Sequence, residues 1–143
     1  MTQSDEWILR SAEALCAGSR WVHGASLGLA AVALWMTYAL PSAGRATLAA
    51  LSVAAAAGVL QLYYALRIEL DRRIFSGLAG LRDGSAEALE AFDHALRDLG
   101  LAGEGKSGRP LAERARGLAA LVRRSGWIFT AQAVLMLVGA WLR

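Results

Sequence analysis

Residues 21–40 read WVHGASLGLAAVALWMTYAL and residues 46–66 read ATLAALSVAAAAGVLQLYYAL; neither run holds an Asp, Glu, Lys or Arg. As a helix, each is about 30 Å long, the thickness of a bilayer's hydrocarbon layer. The chain has only 143 residues, 56% of them hydrophobic and 19% charged. That is less charge than the surface of an ordinary soluble domain carries. Residues 127–142, WIFTAQAVLMLVGAWL, form a third, shorter run, about 24 Å as a helix. Trp127 and Trp141 bracket it, as interfacial anchors do. The expected fold class is all-α: a polytopic membrane protein with three transmembrane helices and a cytoplasmic amphipathic helical region.

Basic residues orient such a chain. Thirteen of them lie in residues 1–20 and 67–126, whereas only Arg45 and Arg143 lie elsewhere. The N-terminal segment and residues 67–126 are therefore expected in the cytoplasm. The short loop 41–45 and the C-terminus are expected outside, and the inner membrane of a bacterium is the expected location. Residues 1–20 carry Asp5, Glu6, Arg10, Glu13 and Arg20 ahead of the first apolar run, so no cleavable signal is expected. Cys16 is the only cysteine, which rules out an intrachain disulfide.

Four amphipathic stretches flank the spans. The first, about residues 4–18, has Ser4 as a cap, Glu6–Arg10 as an i,i+4 pair, and Trp7, Ile8 and Leu15 as candidates for the headgroup layer. The second continues the second span, with Leu66, Leu70, Ile74, Leu78 and Leu81 at helical spacing and Glu69 in reach of Arg72 and Arg73. The third, residues 86–99, carries an apolar seam of Leu89, Phe92, Leu96 and Leu99 that is a candidate partner surface. The fourth starts at Pro110 as a first helical residue, with a stripe of Leu111, Ala115, Leu118 and Val122, and Ser125-Gly126 as a possible bend. Packing of these helices on one another as a small bundle is the expected way to bury the stripes.

Catalytic and transport chemistry is poorly represented. Intramembrane charge is usually functional because it is costly, and the three spans contain none. His23 lies at headgroup depth and is expected to be solvated. His94 and Glu90 share a helical face, but ion pairing there is commoner than metal binding, so no metal and no cofactor is expected. Residues 103–108, GEGKSG, resemble the end of a phosphate loop. No strand pattern precedes them, and phosphate cradling needs a strand–loop–helix frame, so a solvated loop is expected. Basic and acidic residues are interspersed in residues 67–126, which argues against nucleic acid. Arg72, Arg73, Arg123 and Arg124 are expected at lipid headgroups.

Small residues at four-residue spacing are the best-formed functional feature. Gly24 and Gly28 in the first span, and Ala50, Ala54 and Gly58 in the second, permit close helix approach within the chain or between chains. Gln61, Thr130 and Gln132 are candidates for hydrogen bonds across helices. The expected partners are membrane lipids and either another membrane protein or a second copy. The expected role is a non-enzymatic accessory or scaffolding subunit of a larger membrane assembly. A holin-like pore-forming homo-oligomer and a lipid-interface enzyme using Arg72, Arg73, His23 and Glu69 are the alternatives.

Overall fold

The computed structural model describes residues 3–40, 43–80, 90, 91, 94, 98 and 110–142. Three long helices carry nearly all of them: α1 (Gln3–Ala39), α2 (Arg45–Gly80) and α3 (Leu111–Trp141). No strand occurs among the described residues. The helices run up, down and up, each packed on the other two, with α1–α2 the largest interface.

Each helix is longer than its apolar run. At 37, 36 and 31 residues they extend about 46–56 Å. The first amphipathic stretch and the first span are thus one continuous helix. Ala-rich and Leu-rich sequence offers no Gly-Pro break between them, and the apolar face continues across the join. Ser4 accordingly sits inside the first turn rather than capping it, and Glu6 and Arg10 stay exposed. α3 likewise runs straight through Ser125-Gly126 with no break in its helix. Pro110 sits just ahead of α3, with ψ of 148°, and its carbonyl accepts from the Glu113 and Arg114 amides at 3.0 and 3.3 Å.

Buried positions repeat every three or four residues, the period of left-handed coiled packing. On α1 they are Leu9, Ala12, Cys16, Ser19, His23, Ser26, Ala30 and Ala33; on α2, Thr47, Leu51, Ala54, Gly58, Gln61, Ile68 and Phe75. On α3 they are Leu118, Ser125, Gln132 and Gly139, one per heptad. The apolar stripes of α3 and of α2 fare differently. Leu118 is buried with Leu111, Ala115 and Val122 against it, as expected. On α2 the buried face is Ile68 and Phe75, while Leu66 and Leu70 point outward. Trp7 and Leu15 of α1 are also exposed, because Leu9, Ala12 and Cys16 take the bundle face.

The core has three storeys. Ala33, Met36, Leu51, Ala54 and Ala55 pack beside the α1–α2 turn. Leu9, Ala12, Cys16, Ile68, Phe75 and Leu118 pack at the opposite end. Between them lies a polar layer of His23, Ser26, Gln61, Ser125 and Gln132. The outside reverses this chemistry. Gln61 and Gln132 have no exposed surface, whereas Val59 is 72% and Leu137 71% exposed. A soluble fold sorts these residue types the other way. α1 and α2 are long and apolar enough to cross a membrane, and only 28% of the most apolar window of each is buried within the bundle.

Candidate functional site

The polar layer takes His23 and Ser26 from α1, Gln61 from α2, and Ser125 and Gln132 from α3, all on the buried seams, so its groups converge on the bundle axis. The Gln61 amide donates through Nε2 to the Ser125 carbonyl at 2.7 Å, which fixes Oε1 as its acceptor end. The Ser125 hydroxyl donates to that Oε1 at 2.8 Å. With its proton committed, Ser125 Oγ accepts from Nε2 of His23 at 3.0 Å. This chain of bonds selects the His23 tautomer with hydrogen on Nε2 and a lone pair on Nδ1. His23 is therefore a buried interhelical group, only 7% exposed, and not the solvated residue its position near a span end suggests.

One turn further along, Ser26 donates from Oγ to Gln132 Oε1, and Gln132 Nε2 returns a bond to the Ser26 carbonyl at 3.0 Å. Gly58 makes room for this pair: a methyl group there would overlap the Ala30 methyl and lie 3.3 Å from Gln132 Nε2. Near the turn end, Thr47 Oγ1 donates to the Leu142 carbonyl at 3.2 Å, satisfying an acceptor just past the end of α3 that no further helical turn would reach. Every buried side-chain polar atom among the described residues has a partner.

Beside this layer, α1 and α2 enclose an open groove of about 400 Å³ lined by Cys16, Ser19, Arg20, His23, Leu66, Glu69 and Arg72, with Ala65 and Ile68. His23, Glu69 and Arg72, noted in the sequence as scattered candidates, thus meet at one place. Arg73 lies just outside, also bonded to Glu69. Arg72 grips that carboxylate through Nε at 2.8 Å and Nη2 at 2.7 Å, and Arg73 Nε adds a bond at 3.3 Å. The Arg72 hydrogen bonds, with help from Arg73, hold the Glu69 carboxyl down at about 2. The same contact pushes the Arg72 guanidinium up. Burial raises the Cys16 thiol to about 11, with Asp71 adding to the effect. Burial also raises Asp71 itself, partly offset by Arg67.

These groups are poor reaction partners. A thiol at about 11 stays protonated near neutral pH. The Ser19 hydroxyl donates to the Cys16 carbonyl at 2.8 Å. A carboxylate at about 2 with two guanidinium partners is a weak base. A second groove of about 530 Å³, between α1 and α3, is almost wholly apolar, with Gly18, Val22, Val122 and Gly126 in its walls.

The small-residue sites divide. Ala54 and Gly58 are buried in the bundle, and Ala50 is half-buried beside Gly139. Gly24 and Gly28 are exposed, with nothing within 4 Å of where a Cβ would stand. They do not pack α1 against α2; Ala30 does so at Gly58, while Ser26 bonds Gln132 of α3. Arg73, Arg123 and Arg124 are exposed and Arg72 half-exposed. The seam of Leu89, Phe92, Leu96 and Leu99 lies outside the described residues. Within that stretch Glu90, Ala91, His94 and Asp98 are helical, and His94 Nδ1 sits 3.0 Å from Asp98 Oδ2 rather than with Glu90. No group of three potential metal ligands occurs among the described residues. Residues 100–107, GLAGEGKS, do carry the full glycine spacing of a phosphate loop. They too lie outside the described residues, and none of the described residues is a strand that would frame such a loop.

Of the three hydrogen-bonding candidates, Gln61 and Gln132 do cross helices. Thr130 instead bonds the carbonyl of Gly126 in its own helix at 3.0 Å. Ser26 and Ser125 complete these bonds, Ser125 standing within a straight helix and not at a bend. The seven-residue spacing of Leu118, Ser125, Gln132 and Gly139 is the signal that places Ser125 inside. No protein-family model, curated protein or solved structure matches the chain.

Proposed function

We propose that this protein is a three-span inner-membrane accessory subunit that packs against a larger membrane assembly. The observation that carries the reading is the exposed Gly24–Gly28 face of α1. It is a face on which another helix backbone approaches closely at little cost. The inverted sorting of polar core and apolar surface supports burial of the exterior in lipid. Contacts among His23, Gln61 and Ser125 bring Trp21, Tyr63 and Trp127 to one height. Tyr38 and Trp141 lie at the other end, about 26 Å along α1 and 21 Å along α3. Two aromatic levels at that separation suit a bilayer's two interfaces, and they support α3 as the third span.

The asymmetry of Arg and Lys supports a cytoplasmic N-terminus and cytoplasmic residues 67–126. A reporter inserted at residues 102–108 should then read cytoplasmic, and one fused after Arg143 should read external. The reverse pattern would overturn the orientation.

The enzyme alternative gains from the convergence of His23, Glu69 and Arg72, but two guanidinium groups hold Glu69, and His23 Nδ1 has no hydrogen-bonded hydroxyl or thiol among the described residues. The pore alternative has no support inside one bundle, because Ala33, Met36, Leu51 and Ala54 fill its axis. The test is extraction in mild detergent followed by mass measurement. The accessory reading expects a second protein at fixed stoichiometry, lost in the Gly24→Leu/Gly28→Leu variant while the bundle stays folded. A homogeneous self-oligomer would shift the assignment to the pore former. A bare monomer would remove both.

A further inference from the structure

Arg20 stands exposed at the mouth of the α1–α2 groove, with no hydrogen bond or ion pair to any described residue. Across the groove, Arg72 uses Nε and Nη2 on Glu69, which leaves Nη1 uncommitted. Arg72 and Arg73 thus share one carboxylate while Arg20 adds a third cation to the mouth, which keeps a net positive charge. Two further acids act on Cys16 in the groove, Glu13, which accepts from Ser76 Oγ at 3.2 Å, and Asp71, partly offset by Arg67; with Arg67 counted, four cations stand against three acids. From the mouth, the groove wall becomes apolar at Leu66, and the exposed side chains of Leu62 and Val59 continue that track along α2. Arg20, at the mouth, directly precedes Trp21, at the height assigned above to the cytoplasmic interface.

Cationic mouth, apolar track and interfacial height together match one amphiphile. We propose that the α1–α2 groove is a specific site for an anionic phospholipid, with its phosphodiester held between Arg20 and Arg72 and an acyl chain along Leu66. Guanidinium groups suit this task because they present several fixed donors to phosphate oxygens. The Glu69 clamp orients Arg72 for it. The proposal rests on the membrane-spanning reading above and adds a ligand to it.

The experiment follows thermal unfolding of the full chain in an uncharged detergent as phosphatidylglycerol, phosphatidylcholine or inorganic phosphate is added. Ligand that binds only the folded state raises the midpoint by mass action. Phosphatidylglycerol should raise it by about 5 °C at saturation. Phosphatidylcholine and phosphate should leave it unchanged. Arg20→Gln should abolish the shift without altering the lipid-free midpoint, since Arg20 has no partner among the described residues. Arg45→Gln, at the other end of the bundle, should retain the shift. An equal response to phosphatidylcholine, or an undiminished shift in Arg20→Gln, would overturn the proposal. A full shift with inorganic phosphate would overturn the lipid assignment in favour of a soluble phosphate ligand. If the protein proves soluble without detergent, the membrane reading itself falls. If it needs detergent yet ignores phosphatidylglycerol, only the groove proposal falls.

Discussion

Gly58→Ala should loosen the whole bundle, although it adds one methyl group. That methyl would overlap the Ala30 methyl and come within 3.7 Å of the Ala30 Cα. Backbone stands behind both atoms, so α1 and α2 must move apart. Separation also pulls Gln132 from Ser26, because Gln132 Nε2 lies 3.3 Å from the same point. Overpacking of this kind costs about 3 kcal/mol, and the better helix propensity of Ala offsets about 1 kcal/mol. A net loss of about 2 kcal/mol is expected, and more for Gly58→Leu. Gly28→Ala is the matched control, since its added methyl meets nothing. It should be neutral or slightly stabilising. Unfolding by titration of a denaturing detergent into mixed micelles measures both. Equal stability of the two variants would mean that the close approach of α1 and α2 at Gly58 is wrong.

The second large effect concerns the polar layer. Gln61→Leu removes the acceptor of the Ser125 hydroxyl and the donor to the Ser125 carbonyl. Leaving buried polar groups unpaired costs about 1–3 kcal/mol, more than a satisfied pair contributes. A loss of about 2 kcal/mol is expected, near the upper end for bonds between helices in lipid. Gln61→Leu/Ser125→Ala should cost less than the two single variants combined, because the hydroxyl that the first leaves unpaired is removed by the second, while His23 Nε2 loses its acceptor with Ser125→Ala in either background. The same titration supplies the four corners of the cycle. Strict additivity of the two substitutions would show that the side chains do not interact.

A polar layer between two apolar storeys also sets register. Ala, Ser and Gly positions slide past one another with little penalty, and a shift of one heptad would leave the core apolar faces still in contact. It would, however, bring Gln61 opposite Leu118 or Gln132 in place of Ser125. A mismatched polar group excludes that alternative more strongly than apolar packing does. The three storeys therefore divide the work: Phe75, Ile68 and Leu118 supply bulk burial at one end, and the glutamines choose the alignment.

Much of this was legible in the chain. Uncharged runs at 21–40 and 46–66 announce membrane-length helices, because helical rise and bilayer thickness leave few other solutions. The Glu69–Arg72–Arg73 cluster follows from helical spacing alone. The stripe of Leu111, Ala115, Leu118 and Val122 likewise emerges from its period. Other features misled. Leu66 and Leu70 have the right spacing for a buried face, yet they face outward; on the membrane-spanning reading, large side chains no longer need the interior. Size and hydrogen bonding sort the residues instead. Ala, Gly, Ser and Gln go inside, where backbones approach and polar atoms find partners.

By itself, then, the sequence determined the helical class, two spans of membrane length and the charge asymmetry along the chain. Each depends on local composition, which hydropathy and helical period read directly. Only the tertiary structure decided that the flanking helices are continuous with the spans, that His23 is buried on Ser125, and that Gly24 and Gly28 look outward while Gly58 looks in. Small residues stand four apart on both helices. Which face meets a neighbour depends on the rotation of one helix against another, and that rotation is set jointly by residues as far apart as Ser26 and Gln132.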